Sequence, residues 1–218
     1  MRRLWNKLTF WIDRKPSSVD FPVRVFAYVL DWIIGGILCG LPAVAIYSMV
    51  TKRDDMFSDL YVFAALHYEK WWGYVAGILC LVVALVYFVY FPYKVYPGQT
   101  LGKKLMKLKI VRIDWAPLDL KTLIIRNIVG LILIEGVSMT VGRYVRQMLT
   151  LATGIYFDYY LSAIGAMITI ISGILVYTTA SRRAIHDYMA KTTVVGIDEQ
   201  PPVPKNRKER RKKRNKHA

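Results

Sequence analysis

Val23–Val50 reads V-R-V-F-A-Y-V-L-D-W-I-I-G-G-I-L-C-G-L-P-A-V-A-I-Y-S-M-V, and this stretch decides the fold. It is long enough to cross a bilayer, which takes about 20 apolar residues at roughly 1.5 Å of rise each. It nevertheless carries two formal charges, Arg24 and Asp31, seven positions apart and therefore on one helix face. A charge near the centre of a spanning helix costs at least about 2.5–3.5 kcal/mol, less toward the ends. The two must be paired or serve a function, and the remaining sequence is searched for their partners.

Composition agrees with a membrane chain. Hydrophobic residues make up 55% of 218 residues, yet the formal net charge is +16. Basic segments lie between apolar spans instead of lining one folded face, which argues against a specific nucleic-acid partner. Cys39 and Cys80 both fall inside apolar spans, so neither a disulfide framework nor a metal-ligand set is expected, and no cofactor is implied. The charged, aromatic N-terminus lacks the pattern of a cleavable signal peptide.

The expectation is an all-α membrane protein with four transmembrane helices over about 23–50, 72–93, 122–142 and 161–179. Residues 1–16 carry an apolar stripe of Leu4, Leu8 and Trp11 among cations, the pattern of an amphipathic helix lying in the headgroup region. A membrane domain follows over 20–196. Gly35, Gly36 and Gly40 give the first span a small-residue surface for another helix, including one from a second copy. Trp71, Trp72 and Tyr74 start the second span, and Tyr90, Phe91 and Tyr93 end it, as an aromatic belt requires.

Between spans two and three, Gly98 to Lys103 read G-Q-T-L-G-K. The spacing is one residue short of a phosphate loop, and Lys104 stands where that loop needs Ser or Thr. Gly98, Thr100, Gly102 and Lys103 are therefore a structural motif. Lys107–Ile113 reads as a strand, Asp114–Pro117 as a turn and Leu118–Leu120 as its returning partner, a small basic β-hairpin at the membrane surface. The third span holds Arg126, Asn127 and Glu135. Arg126 and Glu135 are nine residues apart, half a turn out of phase on an α-helix, so each needs its own partner. Arg126 snorkels or joins Asp31. Residues 143–160 form a re-entrant or surface-lying connector. Beyond 197 the chain is Pro-rich and then basic to residue 218, a disordered tail suited to anionic lipid, RNA or an acidic protein.

Cation counts set the orientation. Residues 1–22, 92–121 and 180–218 together hold 24 Lys and Arg, and the opposite segments 51–71 and 143–160 hold 5. Both termini are then expected in the cytoplasm of a multi-pass cell-membrane protein. In that orientation Arg24, Asp31, Arg126 and Asp187 reach one level of the bundle, where two arginines and two aspartates neutralise one another.

Four features in order resemble one family: the Arg24-x6-Asp31 pair, Gly98–Lys103, Arg126-Asn127, and R-A-I-H-D-Y-M-A-K-T-T-V-V from Arg183 to Val195. Together they resemble the RDD family of bacterial membrane proteins, named for an arginine and two aspartates that match Arg24, Asp31 and Asp187. The resemblance covers about residues 20–196. Asp114-Trp115-Ala116-Pro117 departs from the Asp-Gly turn of that family, and Glu135 and the basic tail lie outside its pattern. Most members have no assigned activity, and some are similar to proteins proposed to exchange sodium for protons. The resemblance then implies Asp31 as the carboxylate that takes a proton or a cation, tuned by Arg24 or Arg126, with Asp187 as second carboxylate or cytoplasmic gate.

Two function classes follow. One is transport of a small ion or solute through the charged cluster, with a cation such as sodium as ligand. Four spans without an internal repeat then call for a homo-oligomer. The other is a scaffold or accessory protein whose cluster locks helices together and whose basic segments hold partners or anionic lipid headgroups. An enzyme is not expected. His186-Asp187 is an acid–base pair, but no Ser or Cys nucleophile accompanies it, and His186 reads as a polar cap at a helix end.

Overall fold

A computed structural model describes residues 16–135 and 140–202. The expected interfacial helix up to residue 15 and the tail beyond residue 202 lie outside the described residues. Helix α1, Phe21–Thr51, starts at Asp20 in extended backbone with a proline in its first turn, and stops where Lys52 turns left-handed at φ 56°. Its buried residues recur every three or four positions: Arg24, Ala27, Asp31, Gly35, Cys39, Ala43 and Tyr47. One stripe therefore faces the protein while Phe26, Ile33 and Ile37 face outward. A short α2 (Val62–Ala65) precedes α3 (Trp71–Leu85), which widens without a break into a π-helix, π1, over Val86–Val95. The fourth and fifth α-helices are the short α4 (Leu101–Leu105) and α5 (Leu120–Leu123); α5 runs directly into a second π-helix, π2, over Ile124–Ile134. Then come α6 (Thr140–Thr153), α7 (Phe157–Thr178) and α8 (Ile185–Met189).

Among the described residues, three helical stretches are long and apolar enough to cross a membrane: Phe21–Thr51, Trp71–Val95 and Phe157–Thr178. The third expected span is helical from Leu120 but reaches the end of π2 at Ile134, and helix resumes at Thr140. The expected connector over 143–160 is mostly α6, where Val141, Tyr144 and Met148 face the core around buried Gln147. The last span begins at Phe157, four residues earlier than its sequence pattern suggests.

The expected β-hairpin is not formed. Strand β1, Leu108–Arg112, pairs antiparallel with β2, Thr192–Gly196, in a register that sets Leu108 opposite Gly196 and Arg112 opposite Thr192. The segment 118–120 is committed elsewhere, because the Asp119 carboxylate accepts from the Thr122 N–H and caps α5. Asp114 holds Arg112 through Nε and Nη2, both at 3.1 Å, and Trp115 turns left-handed at φ 60°. The sheet buries Leu108, Ile110 and Val194 against Val19 and Ala27. Each such side chain, taken from water, contributes about 1.5–3 kcal/mol.

The chain ends of the bundle are tied at two levels. At the sheet end the Ser17 N–H donates to the Ala180 carbonyl at 2.8 Å, and Arg182 reaches Asp20 at 3.1 Å. At the far end Gln147 donates to Asp59 at 2.9 Å and accepts from the Leu60 N–H at 3.1 Å. The small-residue face of α1 is used within the chain. A methyl at Gly35 would stand 2.8 Å from the Phe88 ring, and Gly36 faces Thr140 of α6.

Candidate functional site

The G-Q-T-L-G-K segment turns back onto α1 immediately after π1. Gly98 adopts φ +76°, and a Cβ there would stand 2.5 Å from the Ile110 carbonyl oxygen, so the turn beside β1 requires glycine. The turn presents the start of α4 to Asp31. Thr100 Oγ1 and Lys103 Nζ donate to Asp31 Oδ2, both at 2.6 Å. The Gly102 N–H and the Tyr87 hydroxyl donate to Oδ1 at 2.9 and 3.0 Å. A Cβ on Gly102 would lie 2.7 Å from the Ala27 carbonyl and the Asp31 nitrogen, which explains the glycine at this contact. Asp31 is thus an intramolecular cap for α4 and a counter-ion for Lys103, not for Arg24 or Arg126 as the sequence suggested. The reason is geometric: four donors from the loop and π1 already surround it.

Both arginines converge instead on Asp187. Arg24 Nη2 meets Oδ2 at 2.5 Å, and Arg126 meets Oδ1 through Nη2 at 2.8 Å and Nε at 3.1 Å. Asp187 is wholly buried in α8, and its Oδ2 also accepts from the Ala184 N–H at 3.2 Å, closing the first turn of that helix. Burial opposes ionisation of this carboxyl, but the Arg126 and Arg24 guanidiniums overcome it and hold it well below the usual carboxylate range. Lys103 is lowered as well, which for an ammonium disfavours the charged form. Burial pulls it below its ordinary range, with Asp31 opposing and Arg126 adding to the shift.

Glu135 finds its partner in His186. The His186 N–H donates to Oε1 at 2.8 Å, and Nδ1 hydrogen-bonds Oε2 at 3.0 Å. The expectation that Arg126 and Glu135 point apart is corrected by the π-helix between them. Its i to i+5 hydrogen bonds make a wider turn, so nine residues come to about two turns and both side chains face α8. Gly130 lies between them, where a Cβ would stand 2.6 Å from the His186 Cβ, so glycine lets α8 sit against π2.

Further residues complete the centre; of these, Asn127 and Arg183 belong to motifs quoted from the sequence, and the others had no role assigned there. Asn127 accepts from Arg126 Nη1 at 2.7 Å and donates to the Phe88 carbonyl, stitching π2 to π1. Arg183 donates to the carbonyls of Thr192 and Asp187, at 2.9 and 3.0 Å, and lies 4.1 Å from the centre of the Tyr188 ring. Ser172 accepts from the Ile185 N–H at 3.0 Å, and Thr169 Oγ1 donates to the Glu135 carbonyl at 2.6 Å, tying α7 to the same centre. Tyr87 carried the readable signal, because a tyrosine inside an apolar span needs a partner for its hydroxyl. Arg24, Asp31, Lys103, Arg126, Glu135 and His186 line one cavity of about 180 Å³.

The family model described as "RDD family" matches residues 19–191, a range that contains every charged residue of the cavity. The chain is 27% identical over 181 residues to "Uncharacterized membrane protein YteJ" of Bacillus subtilis (strain 168), covering 82% of this chain and 81% of that protein. No solved structure matches the chain. With the arginine and both aspartates of the pattern inside the matched range and several apolar helices around them, this chain is a membrane protein that belongs to the RDD family.

Proposed function

We propose that this protein is a non-catalytic membrane accessory protein, in which the Arg/Asp cluster locks a membrane-surface module onto the helix bundle. That module comprises α4, the β1–β2 sheet and α8. The single observation that carries this reading is the saturation of both aspartates. Asp31 accepts four hydrogen bonds from protein donors, and Asp187 accepts from Arg24, Arg126, Ala184 and Thr192. Sodium binding draws on carboxylate lone pairs, which these donors already occupy. The module would serve to hold a partner protein or anionic lipid at the membrane surface.

The reading includes four crossings, with the third carried by Leu120–Ile134 and its continuation. Its support is connectivity. Ser17 meets Ala180 at one end, Gln147 meets Asp59 at the other, and the chain must pass between these levels after residue 120. The excess of cations on the sheet side then argues for cytoplasmic termini in the cell membrane.

A second reading, exchange of a small cation for a proton, is favoured by the Glu135–His186 pair facing the cavity that also holds Lys103. Reconstitution separates the two. Proteoliposomes containing the full chain are expected to move protons no faster than empty vesicles under a sodium gradient. Sodium-dependent proton movement that Asp31→Asn or Glu135→Gln abolishes would replace the accessory reading with exchange.

A further inference from the structure

The cluster is well paired, except on one side. Arg24 is only 8% exposed, and its Nη1 is buried with no acceptor among the described residues. A buried guanidinium N–H left open in this way is costly unless something outside the fold accepts from it. The charge count points the same way. Arg24, Lys103, Arg126 and Arg183 stand with the carboxylates of Asp31, Glu135 and Asp187, which leaves one positive charge in excess with His186 counted neutral. Arg24 and Arg126 share the one Asp187 carboxylate, so beside the unpaired Nη1 two guanidiniums face a single negative charge.

Arg24 also lines the cavity, which besides the charged residues already named is bounded by Phe21, Val25 and Tyr28 from α1 and by Gly173 and Val176 from α7. Beside Gly173 there is room, since a methyl built on it meets nothing within 4 Å. The depth is informative. Arg24 is the fourth residue of α1, and Val176 is two residues from the end of α7, so the cleft lies at the ends of two apolar helices. Headgroup phosphates sit at that level, with acyl chains running along the helices below them.

We propose that this cleft is a binding site for an anionic phospholipid of the surrounding bilayer. Its phosphate accepts from Arg24 Nη1 and offsets the surplus charge, and an acyl chain lies between α1 and α7 across Gly173. Arginine suits the role, because Nη2 stays on Asp187 while Nη1 donates to a phosphate oxygen. The inference does not depend on whether the cluster carries ions, because it concerns a buried guanidinium donor that the lock leaves unused.

The test is native mass spectrometry on the full chain in detergent, titrated separately with phosphatidylglycerol, phosphatidylcholine and inorganic phosphate. Arg24 substitutions also weaken the lock, so the deciding variant is Gly173→Trp, which fills the cleft and leaves every charge in place. Gly173→Ala is its control. Phosphatidylglycerol is expected to bind at least tenfold tighter than phosphatidylcholine to the parent and to Gly173→Ala, and to lose at least tenfold in Gly173→Trp. Equal phosphatidylglycerol binding by the parent and Gly173→Trp would overturn the site. So would phosphatidylcholine matching phosphatidylglycerol, or inorganic phosphate binding as tightly as the lipid.

Discussion

Asp187 is the residue on which two helices from distant parts of the sequence meet, and its removal has a calculable consequence. Asp187→Asn leaves two buried guanidiniums facing a neutral amide, and breaking a buried pair from one side costs about 3–5 kcal/mol. A chemical-denaturation or thermal-shift series in detergent should register a loss of that size. The pH dependence has a fixed sign. The folded carboxyl is held low, so its contribution is present above the unfolded value of about 3.9 and is lost as pH falls through the lower folded value. Parent stability should therefore lose this contribution only below about pH 4, and the acid-side loss should be smaller in Asp187→Asn. Gly102→Ala should destabilise by about 1–3 kcal/mol, because the added methyl meets the α1 backbone at Ala27 and Asp31 and the Asp31 carboxylate oxygen that the loop itself holds in place. Arg24, Asp31 and Arg126 are legible as a charged set, since apolar spans carry charge only under constraint, whereas Asp187 lies beyond the last span and is picked out by the family resemblance. Which carboxylate each cation takes was not legible. Lys103 reaches Asp31 only because Gly98 and the sheet turn the loop back onto α1, and that depends on a strand about eighty residues further on.

At the scale of elements, the informative departures are the π-helices and the sheet. A 3.6-residue period puts Arg126 and Glu135 on opposite sides, and nothing in the apolar run Ile124–Ile134 marks the wider turn that brings them together. Gly130 is the trace it leaves, and Gly130→Ala should lower stability and detach α8, read as faster proteolysis after Lys191. The sequence marks a strand over 107–113, but its pattern points to the nearest downstream segment, 118–120, as the partner. Local turn chemistry favours a hairpin. Here it is outweighed by the burial of Leu108, Ile110 and Val194 in one cluster and by the Asp119 cap. The pairing is testable by a disulfide. Lys109→Cys with Val195→Cys, directly opposed in the register, should cross-link under mild oxidation, and Lys109→Cys with Leu118→Cys should not.

For the whole molecule, the charge distribution along the sequence and the contacts within the fold both support the proposed topology. Segments bearing most of the cations are those joined at the sheet end, where residues 17–20 meet 180–182 and β1 meets β2. In intact cells a membrane-impermeant maleimide should label Asp55→Cys and Thr153→Cys but leave Lys121→Cys and Gln200→Cys unlabelled until the membrane is opened. In the proposed reading Asp187 clamps the surface module to the helices through Arg24 and Arg126. Hydrogen–deuterium exchange on the parent and on Asp187→Asn tests it most directly. Residues 108–112 and 185–196 should lose protection together in the variant while Trp71–Leu85 stays protected. Unchanged protection of 185–196 in Asp187→Asn would contradict it.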